Sequence, residues 1–353
     1  MKESFNLERN VRANIMNLKT YSCARNEFNG NSSILFDANE NPYGSPLNDF
    51  YNRYPDPLQN VLKQKLSDIK KVSTNSIFLG NGSDEAIDII LRTFCDPGAD
   101  NIILFTPTYG MYEVVANINN VSCKHINLTS KYQLDLPQLF SKIDEHTKLI
   151  FICSPNNPTG NNFREVDILS ILSVFNGIVV VDEAYIDFSN QPSLLKKLDD
   201  FPNLIVIQTL SKAWGLAGLR LGIAFAAPEI ILLFNKIKPP YNINQATQTL
   251  VLEALKEEHK IKEWIKEIRS ERERISLILK EIDGILHVYH SDANFILIKL
   301  IDSLSLYQYL AEREIIVRKR SMVDLCENCL RISIGTPEQN NLLVASIIAY
   351  FTC

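Results

Sequence analysis

The chain has 353 residues, of which 46% are hydrophobic and 22% charged, a composition ordinary for a globular protein of about two domains. Its 36 Lys and Arg residues against 41 Asp and Glu residues give a formal net charge of -5, which argues against a protein that binds nucleic acid or acidic membranes through bulk charge. No stretch approaches the ~20 consecutive apolar residues of a membrane-spanning helix. We therefore expect neither nucleic acid nor a membrane as a partner.

The first five residues mix charged and apolar side chains and lack the apolar centre of a secretory signal, which predicts a cytoplasmic protein. The seven cysteines are scattered and odd in number, unlike a disulfide framework. Cys326 and Cys329 form a lone C-x-x-C pair without a second pair of ligands, so packing is favoured over a metal or redox role. We predict no metal site.

Between about residues 76 and 225, short apolar runs alternate with stretches long enough for crossover helices. Runs that are apolar throughout are typical of strands buried on both faces of a parallel sheet. The predicted strands are residues 77–79, 102–105, 121–126, 149–152, 178–181, 204–207 and 221–225. The sequence therefore predicts an α/β fold with a mainly parallel seven-stranded sheet in a large domain.

The pattern changes after Pro239 and Pro240. Residues 257–282 are rich in charge with apolar residues at helical spacing, which predicts one long helix with a solvated face. Strands are predicted at 285–290, 294–299, 315–318 and 330–334, with helices near 303–312 and 337–350. This pattern favours a smaller α+β domain. We divide the chain into an N-terminal arm and part of the small domain (1–45), a large domain (46–245) and a small C-terminal domain (246–353).

Polar residues follow several of the predicted strands, and ligands of open α/β sheets collect at the carboxyl ends of strands. Lys212 comes directly after a buried strand, between Ser211 and a glycine-rich turn that leads to Arg220. This arrangement suits a carbonyl-reactive amine held in a pocket. Asp182 ends another strand, where it could hold a cationic ring nitrogen or serve only as a helix N-cap.

Two further segments have the same placement. Gly82, Ser83 and Asp84 lead from a strand into a helix predicted over 86–94, and they form either a phosphate cradle or an ordinary helix cap. Asn157 lies in the segment 154–160 after another strand, where turn chemistry is the simpler interpretation. Tyr185 lies three residues after Asp182. Together, a phosphate cradle, an Asn, an Asp, a Tyr and a Lys after successive strands are what is needed to hold pyridoxal phosphate as a Schiff base.

The chain resembles the fold-type I, pyridoxal-phosphate-dependent aminotransferases of the class I/II group over nearly its full length. Within that family it is most similar to the branch that acts on histidinol phosphate. The segments that carry the resemblance are residues 37–44, 53–55, 107–112, 153–160, 182–185, 209–222 and 330–335.

The resemblance implies a role for each matching residue. Lys212 forms the Schiff base and then moves a proton between the substrate Cα and the cofactor, while Asp182 keeps the ring nitrogen protonated. The remaining implied cofactor contacts are Asn157 and Tyr185 at the phenolic oxygen, Tyr109 on the ring face, and Gly82, Ser83, Asp84, Ser211 and Arg220 at the phosphate. Tyr54 reaches the phosphate from the other subunit, which implies a homodimer with shared sites.

The implied substrate contacts include Arg331, which matches the arginine that clamps the substrate carboxylate through a bidentate fork. One such arginine could hold both the carboxylate of glutamate and the phosphate of the other substrate. Arg318 matches a second anion contact, although it could also be a solvated charge, since Lys319 and Arg320 follow and only one of the three need face the site. Tyr21 and Asn39 complete the implied set.

We therefore expect an aminotransferase that interconverts L-histidinol phosphate plus 2-oxoglutarate and imidazole acetol phosphate plus L-glutamate, in L-histidine biosynthesis. A threonine-phosphate decarboxylase and a broad aromatic aminotransferase remain alternatives, because they share Lys212, Asp182 and Arg331 on the same scaffold. The stretch 109–112 and the short N-terminal arm favour histidinol phosphate. A ligand-sensing domain without activity, of the kind fused to DNA-binding helices, is disfavoured for two reasons. The predicted fold leaves no room for such helices, and the net charge of the chain is negative.

Overall fold

A computed structural model of the chain describes residues 5–21, 23, 34–47, 51–321 and 323–352. The predicted N-terminal arm (1–45) is therefore covered in part, and the prediction about a secretory signal falls mostly on residues 1–4, which lie outside the described residues. Within the described ranges, no helix is both long enough and apolar enough to cross a membrane.

A seven-stranded sheet forms the centre of the larger part of the molecule. Its strands are β1 (Ile77–Asn81), β2 (Asn101–Thr106), β3 (Ser122–Asn127), β4 (Thr147–Cys153), β5 (Ile178–Asp182), β6 (Leu204–Thr209) and β7 (Leu221–Phe225). Their order is β1-β7-β6-β5-β4-β2-β3, with parallel pairing from β6 to β3 and antiparallel pairing of β7 with both β6 and β1. The predicted mainly parallel sheet is confirmed, and every strand end agrees with the prediction to within two residues.

The expectation that every strand is buried on both faces is wrong for β3. This strand lies at the edge of the sheet, and Ile126 is its one buried residue. In the inner strands, alternate side chains enter two separate apolar cores. Val179 and Val181 of β5 pack into one core, and Ile178 and Val180 pack into the other. Helices cover both faces because both are apolar.

The helices follow the apolar periodicity of the sequence. Those preceding the small sheet are α1 (Leu7–Asn10), α2 (Ala13–Met16), α3 (Asn60–Lys70), α4 (Ser83–Phe94), α5 (Met111–Ile118), α6 (Leu136–Lys142), α7 (Glu165–Val174), α8 (Pro228–Ile237), α9 (Gln245–Ala254) and α10 (Glu258–Lys280). The long charged helix is α10, whose residues Ile275 and Leu279 are fully buried while its charged face is largely exposed.

A four-stranded antiparallel sheet follows α10. It contains β8 (Ile285–Val288), β9 (Phe295–Leu300), β10 (Arg318–Lys319) and β11 (Cys329–Ser333) in the order β10-β11-β9-β8, and it packs with α11 (Ser303–Ala311) and α12 (Pro337–Thr352). The prediction of a strand over 315–318 is wrong except at its last residue. Glu314 has a positive φ of 60°, and the Ile315 N–H donates to the Leu310 carbonyl to close the end of α11, so pairing with β11 begins only at Arg318.

Candidate active site

A cavity of about 580 Å³ lies between the carboxyl ends of the large-sheet strands and the β10–β11 edge of the small sheet. Most of the residues predicted from the sequence line it: Ser83, Asp84, Tyr109, Asn157, Asp182, Tyr185, Ser211, Lys212, Arg220, Arg318 and Arg331. They meet there because the carboxyl ends of parallel strands share one edge of the sheet.

Asp182 is a buried carboxyl group at the end of the central strand β5, with 3% of its surface exposed. The Tyr112 hydroxyl donates to Oδ2 at 2.6 Å and the Ala184 N–H donates to Oδ1 at 3.0 Å. Burial raises the pKa of Asp182, and these two hydrogen bonds oppose that rise. A cation placed beside this carboxylate would relieve the cost of its burial.

Lys212 follows β6 and presents its amine to the cavity. Its Nζ lies 5.6 Å from the centre of the Tyr185 ring. Burial by the cavity walls, together with the positive charge of Arg331, lowers the pKa of Lys212 below its ordinary value of 10.5. A larger fraction of the amine is therefore neutral near pH 7, as a nucleophile or a proton acceptor requires.

The turn from β1 into α4 brings Ser83 and Asp84, the first residues of α4, to the cavity. Gly82 has a φ of +79° and no side chain, and its N–H donates to the Arg220 carbonyl at 2.7 Å. No side chain caps α4, whose first-turn amides together with the positive end of the helix dipole favour an anion. A Cβ at Gly222 would lie 2.2 Å from the Ser83 nitrogen, so glycine is required for β7 to approach this turn.

Arg220 extends along this turn. Its Nη2 lies 3.5 Å from Asp84 Oδ2, and the Tyr109 hydroxyl donates to Asp84 Oδ1 at 3.1 Å. Gly82 lies behind the cavity surface and is buried, so its contribution is through the backbone. The helix N-terminus, Arg220 and Ser211 together form a site suited to a phosphate group.

Asn157 and Tyr185 both line the cavity, and both are largely buried. Asn157 Oδ1 accepts a hydrogen bond from Arg331 Nη1 at 2.5 Å. This bond joins the loop that follows β4 in the large sheet to β11 in the small sheet. Burial also raises the pKa of the Tyr185 phenol, which therefore stays protonated and can donate a hydrogen bond.

The small-sheet wall of the cavity carries Arg318, Arg320 and Arg331. Arg318 and Arg331 are directly opposite in the β10–β11 ladder. Burial and the nearby charges of Arg331 and Arg318 lower the pKa of Arg320 to about 10. The Nε atoms of Arg320 and Arg331 are buried without a hydrogen-bond partner in the described part of the chain. This wall is suited to bind an anion.

Besides Gly82, three predicted site residues do not line this cavity. Tyr54 and Asn39 line a second cavity of about 520 Å³, where the Tyr54 ring stacks on Tyr241 at 4.4 Å. Tyr21 is 72% exposed and lines a third, of about 390 Å³. Within one chain, these residues are therefore separate from Lys212.

Sequence reasoning missed two contributors. Tyr112, on α5, makes the hydrogen bond to Asp182 that positions the carboxylate, and it stacks on Phe151 at 4.9 Å. Arg320 was considered only as an alternative to Arg318, whereas both line the cavity. Alternation along a strand, which puts residues two apart on one face, is the signal that identifies Arg320.

The chain is similar to known aminotransferases in sequence and in fold. The family model "Aminotransferase class I and II" matches residues 35–347. The chain is 54% identical to the histidinol-phosphate aminotransferase of Parabacteroides distasonis, over 95% of this chain and 96% of that protein. Among solved structures, the histidinol-phosphate aminotransferase from Clostridium acetobutylicum matches with a TM-score of 0.79 at 25% identity, covering 86% of this chain and 91% of that one. The Sinorhizobium meliloti enzyme in complex with pyridoxal-5'-phosphate has the same fold, with a TM-score of 0.78 at 24% identity over 89% of this chain and 90% of that one.

Proposed function

The chain belongs to the class I and II aminotransferase family, and we propose that it transfers the amino group between L-histidinol phosphate and 2-oxoglutarate, giving imidazole acetol phosphate and L-glutamate, in L-histidine biosynthesis. As a member of this family it is a pyridoxal-phosphate-dependent transaminase. The observation that carries the proposal is the position of Lys212, in one cavity between the buried carboxyl of Asp182 and a wall of arginines.

The residues present fit pyridoxal phosphate. The uncapped amides of Ser83 and Asp84 with Arg220 and Ser211 suit its phosphate, and the buried carboxylate of Asp182 suits a protonated ring nitrogen. Tyr109 also lines the cavity and would cover a ring face, and Asn157 and Tyr185 would hydrogen-bond the phenolic oxygen. When bound, the cofactor supplies the electron sink that allows the Cα–H bond of the amino substrate to break.

The chain's own residues then carry the proton transfers. Lys212 Nζ, whose pKa is lowered by burial, takes the proton from the substrate Cα. Asp182 would keep the ring nitrogen of the bound cofactor protonated, because a nearby carboxylate favours the charged form of the ring. Tyr112 holds that carboxylate in position through its 2.6 Å hydrogen bond.

The arginine wall supports the choice of substrate. Histidinol phosphate carries its phosphate where histidine has a carboxylate, so Arg331 can bind the phosphate of one substrate and the carboxylate of the other. Arg318, opposite Arg331 in the ladder, is placed to share the phosphate. Asn157 orients Arg331 by accepting its Nη1 hydrogen.

We further propose that two copies of the chain assemble as a cytoplasmic homodimer with shared sites. Tyr54 and Asn39 lie in a separate cavity of the same chain, which is the placement expected of residues that serve the partner's site. Tyr21 would likewise contribute near the substrate phosphate only in the assembled enzyme. The division into residues 1–45, 46–245 and 246–353 remains our proposal for the domains, with the cavity between the last two.

The activity is tested with purified protein loaded with pyridoxal phosphate. We expect L-glutamate to change the cofactor absorbance and imidazole acetol phosphate to reverse the change, with formation of histidinol phosphate. Lys212→Ala should lower this rate by at least about 10³-fold, because it removes both the nucleophile and the proton acceptor. Lys197→Ala, at a half-buried lysine outside the cavity that pairs with Asp200, is the matched control and should leave the rate unchanged.

The alternative activities give different results in the same assay. Release of carbon dioxide from threonine phosphate without any response to glutamate would contradict the transaminase proposal. A preference for aromatic amino acids over histidinol phosphate would indicate the broad aromatic aminotransferase instead.

A further inference from the structure

Arg320 shares one face of the small sheet with the two arginines that the family resemblance identifies. The β10–β11 ladder continues past Lys319, because the Arg320 N–H donates to the Cys329 carbonyl at 3.0 Å. Side chains alternate along a strand, so Arg318 and Arg320 face the cavity together. Lys319 points the other way, with its ammonium 4.6 Å from the centre of the Tyr307 ring.

This face concentrates positive charge at a cost to the fold. Like charges directly opposite each other in a ladder are destabilising, and Arg318 faces Arg331 in that way. The carboxylates that line the cavity are engaged elsewhere, since Asp84 lies 3.5 Å from Arg220 and Asp182 accepts from Tyr112. The buried Nε of Arg320 has no acceptor among the described residues. The wall therefore offers more donors and more charge than a single carboxylate can use.

A carboxylate has two oxygens and one charge, and the fork of one arginine matches it. A phosphate monoester has three terminal oxygens and a charge of about -1.5 to -2 near pH 7. We propose that Arg320 is a specificity-determining residue that binds the additional charge and oxygen of a phosphate monoester, so that the same wall favours the phosphorylated substrate over the carboxylate substrate. The inference rests on the proposed function, in which a phosphate monoester and a dicarboxylic acid alternate in one site.

In the enzyme loaded with pyridoxal phosphate, the half-reactions with histidinol phosphate and with L-glutamate can be measured separately. We expect Arg320→Gln to lower the apparent second-order rate constant with histidinol phosphate by about 30-fold, as loss of a charge-assisted hydrogen bond implies, and that with L-glutamate by less than about 3-fold. Arg320→Lys should recover most of the loss because it restores the charge. Lys319→Gln, on the opposite face of the same strand, should change neither rate.

A second measurement compares histidinol phosphate with unphosphorylated histidinol. The wild-type preference for histidinol phosphate over unphosphorylated histidinol should shrink by about the same factor in Arg320→Gln. Inorganic phosphate should compete with glutamate in the wild type, and Arg320→Gln should raise its inhibition constant by about 10-fold or more. Cofactor absorbance and the thermal midpoint of each variant report whether the fold and the cofactor site are intact.

An equal loss with both substrates would overturn the inference, because Arg320 would then support the cavity or clamp any anion. So would an unchanged preference for histidinol phosphate over histidinol. If the wild type does not react with histidinol phosphate at all, the proposed function fails instead, and that result is obtained before any variant is compared. Competition by inorganic phosphate still tests the role of Arg320 in that case. If Arg320→Gln does not raise the inhibition constant of phosphate, the inference about Arg320 is wrong.

Discussion

The two walls of the cavity treat charge in opposite ways. On the large-sheet wall, Asp84 lies beside Arg220 and Tyr109, and the buried Asp182 accepts hydrogen bonds from Tyr112 and Ala184. On the small-sheet wall, the like-charged Arg318 and Arg331 are cross-strand neighbours. The first wall holds its carboxylates by hydrogen bonds and an ion pair within the protein, and the second leaves its positive charges for a ligand.

This difference separates two kinds of binding. A cofactor that stays bound through many turnovers suits a wall whose groups are already held in position by the protein. Two substrates that alternate in one site suit a wall whose uncompensated charge is neutralised only when an anion binds. Substitutions on the two walls should therefore differ in their effects on stability and on substrate affinity.

The largest expected effect is on the large-sheet wall. Burial raises the pKa of Asp182, so between its ordinary pKa and the raised value the folded apoprotein binds more protons than the unfolded chain, and stability falls as pH rises. Asp182→Asn removes this loss. We expect the thermal midpoint of the apoprotein near pH 8 to stay equal or rise, while turnover falls by about 10²- to 10³-fold, measured by calorimetry and steady-state kinetics.

Glu183 provides the matched control for Asp182. It is equally buried, accepts hydrogen bonds from Leu194 and Gln208, and lies outside the cavity lining. Burial raises the pKa of Glu183 to about 7, so Glu183→Gln should alter the pH dependence of stability between about pH 4.5 and 7 with turnover within about 3-fold of wild type. If Asp182→Asn kept its turnover within 10-fold of wild type, the prediction that Asp182 acts in catalysis and Glu183 does not would be wrong.

The next effect joins the two walls. Arg331 donates to Asn157 and its charge lowers the pKa of Lys212, on which Asp182, Asp84 and Arg220 also act. We expect Arg331→Gln to raise the Michaelis constants for glutamate and for histidinol phosphate by about 10- to 100-fold, since it loses a bidentate charged contact with both. The pH at which apoprotein begins to capture added pyridoxal phosphate should also rise, because the pKa of Lys212 increases.

Arg331→Lys should separate the effect on the Michaelis constants from the effect on the pH of cofactor capture. It keeps the positive charge and should preserve the pH profile of cofactor capture, but it lacks the planar fork and should still raise both Michaelis constants. An effect of Arg331→Gln on glutamate alone would contradict a shared anion site. An unchanged pH profile in Arg331→Gln would show that the two walls are electrostatically independent.

The difference between the walls also explains what the sequence could predict. Lys212, Asp182 and Asn157 each follow an apolar strand, and parallel pairing brings such positions to one edge whatever the details of packing. The sequence therefore identified most of the large-sheet wall. Tyr112 was missed because its hydrogen bond depends on how α5 lies over β5, a relation between distant segments that local patterns do not record.

The small-sheet wall depends on pairing of a two-residue strand with β11. The apolar residues Ile315 and Ile316 predict a strand that begins earlier. In the structure the turn at Glu314 comes first, and pairing with β11 begins only at Arg318. Arg320 faces the cavity because of this register. Tyr54 and Asn39 pose a different problem. Their distance from Lys212 within one chain means that their role depends on assembly, which a single sequence does not encode locally.

The smallest expected effect tests whether the small-sheet wall is strained by its own charge. Arg318→Gln removes one member of the cross-strand pair with Arg331, and relief of such a like-charge contact contributes about 0.2–1 kcal/mol. In a chain of this length we expect a rise of about 1 °C in the thermal midpoint of the apoprotein at low ionic strength. The rise should shrink in about 0.5 M salt, because Arg318 is exposed and its interactions are screened.

Substitutions on the two faces of β10 should have different effects on the thermal midpoint. Lys319→Gln removes a charge from the same strand but also removes the ammonium–ring contact with Tyr307, so it should leave the midpoint unchanged or lower it slightly. Saturating inorganic phosphate should reverse the order of wild type and Arg318→Gln, because the wild type gains more stability from the bound anion. A midpoint that fell in Arg318→Gln without phosphate would mean that contacts within the protein stabilise Arg318, as they do the carboxylates of the large-sheet wall.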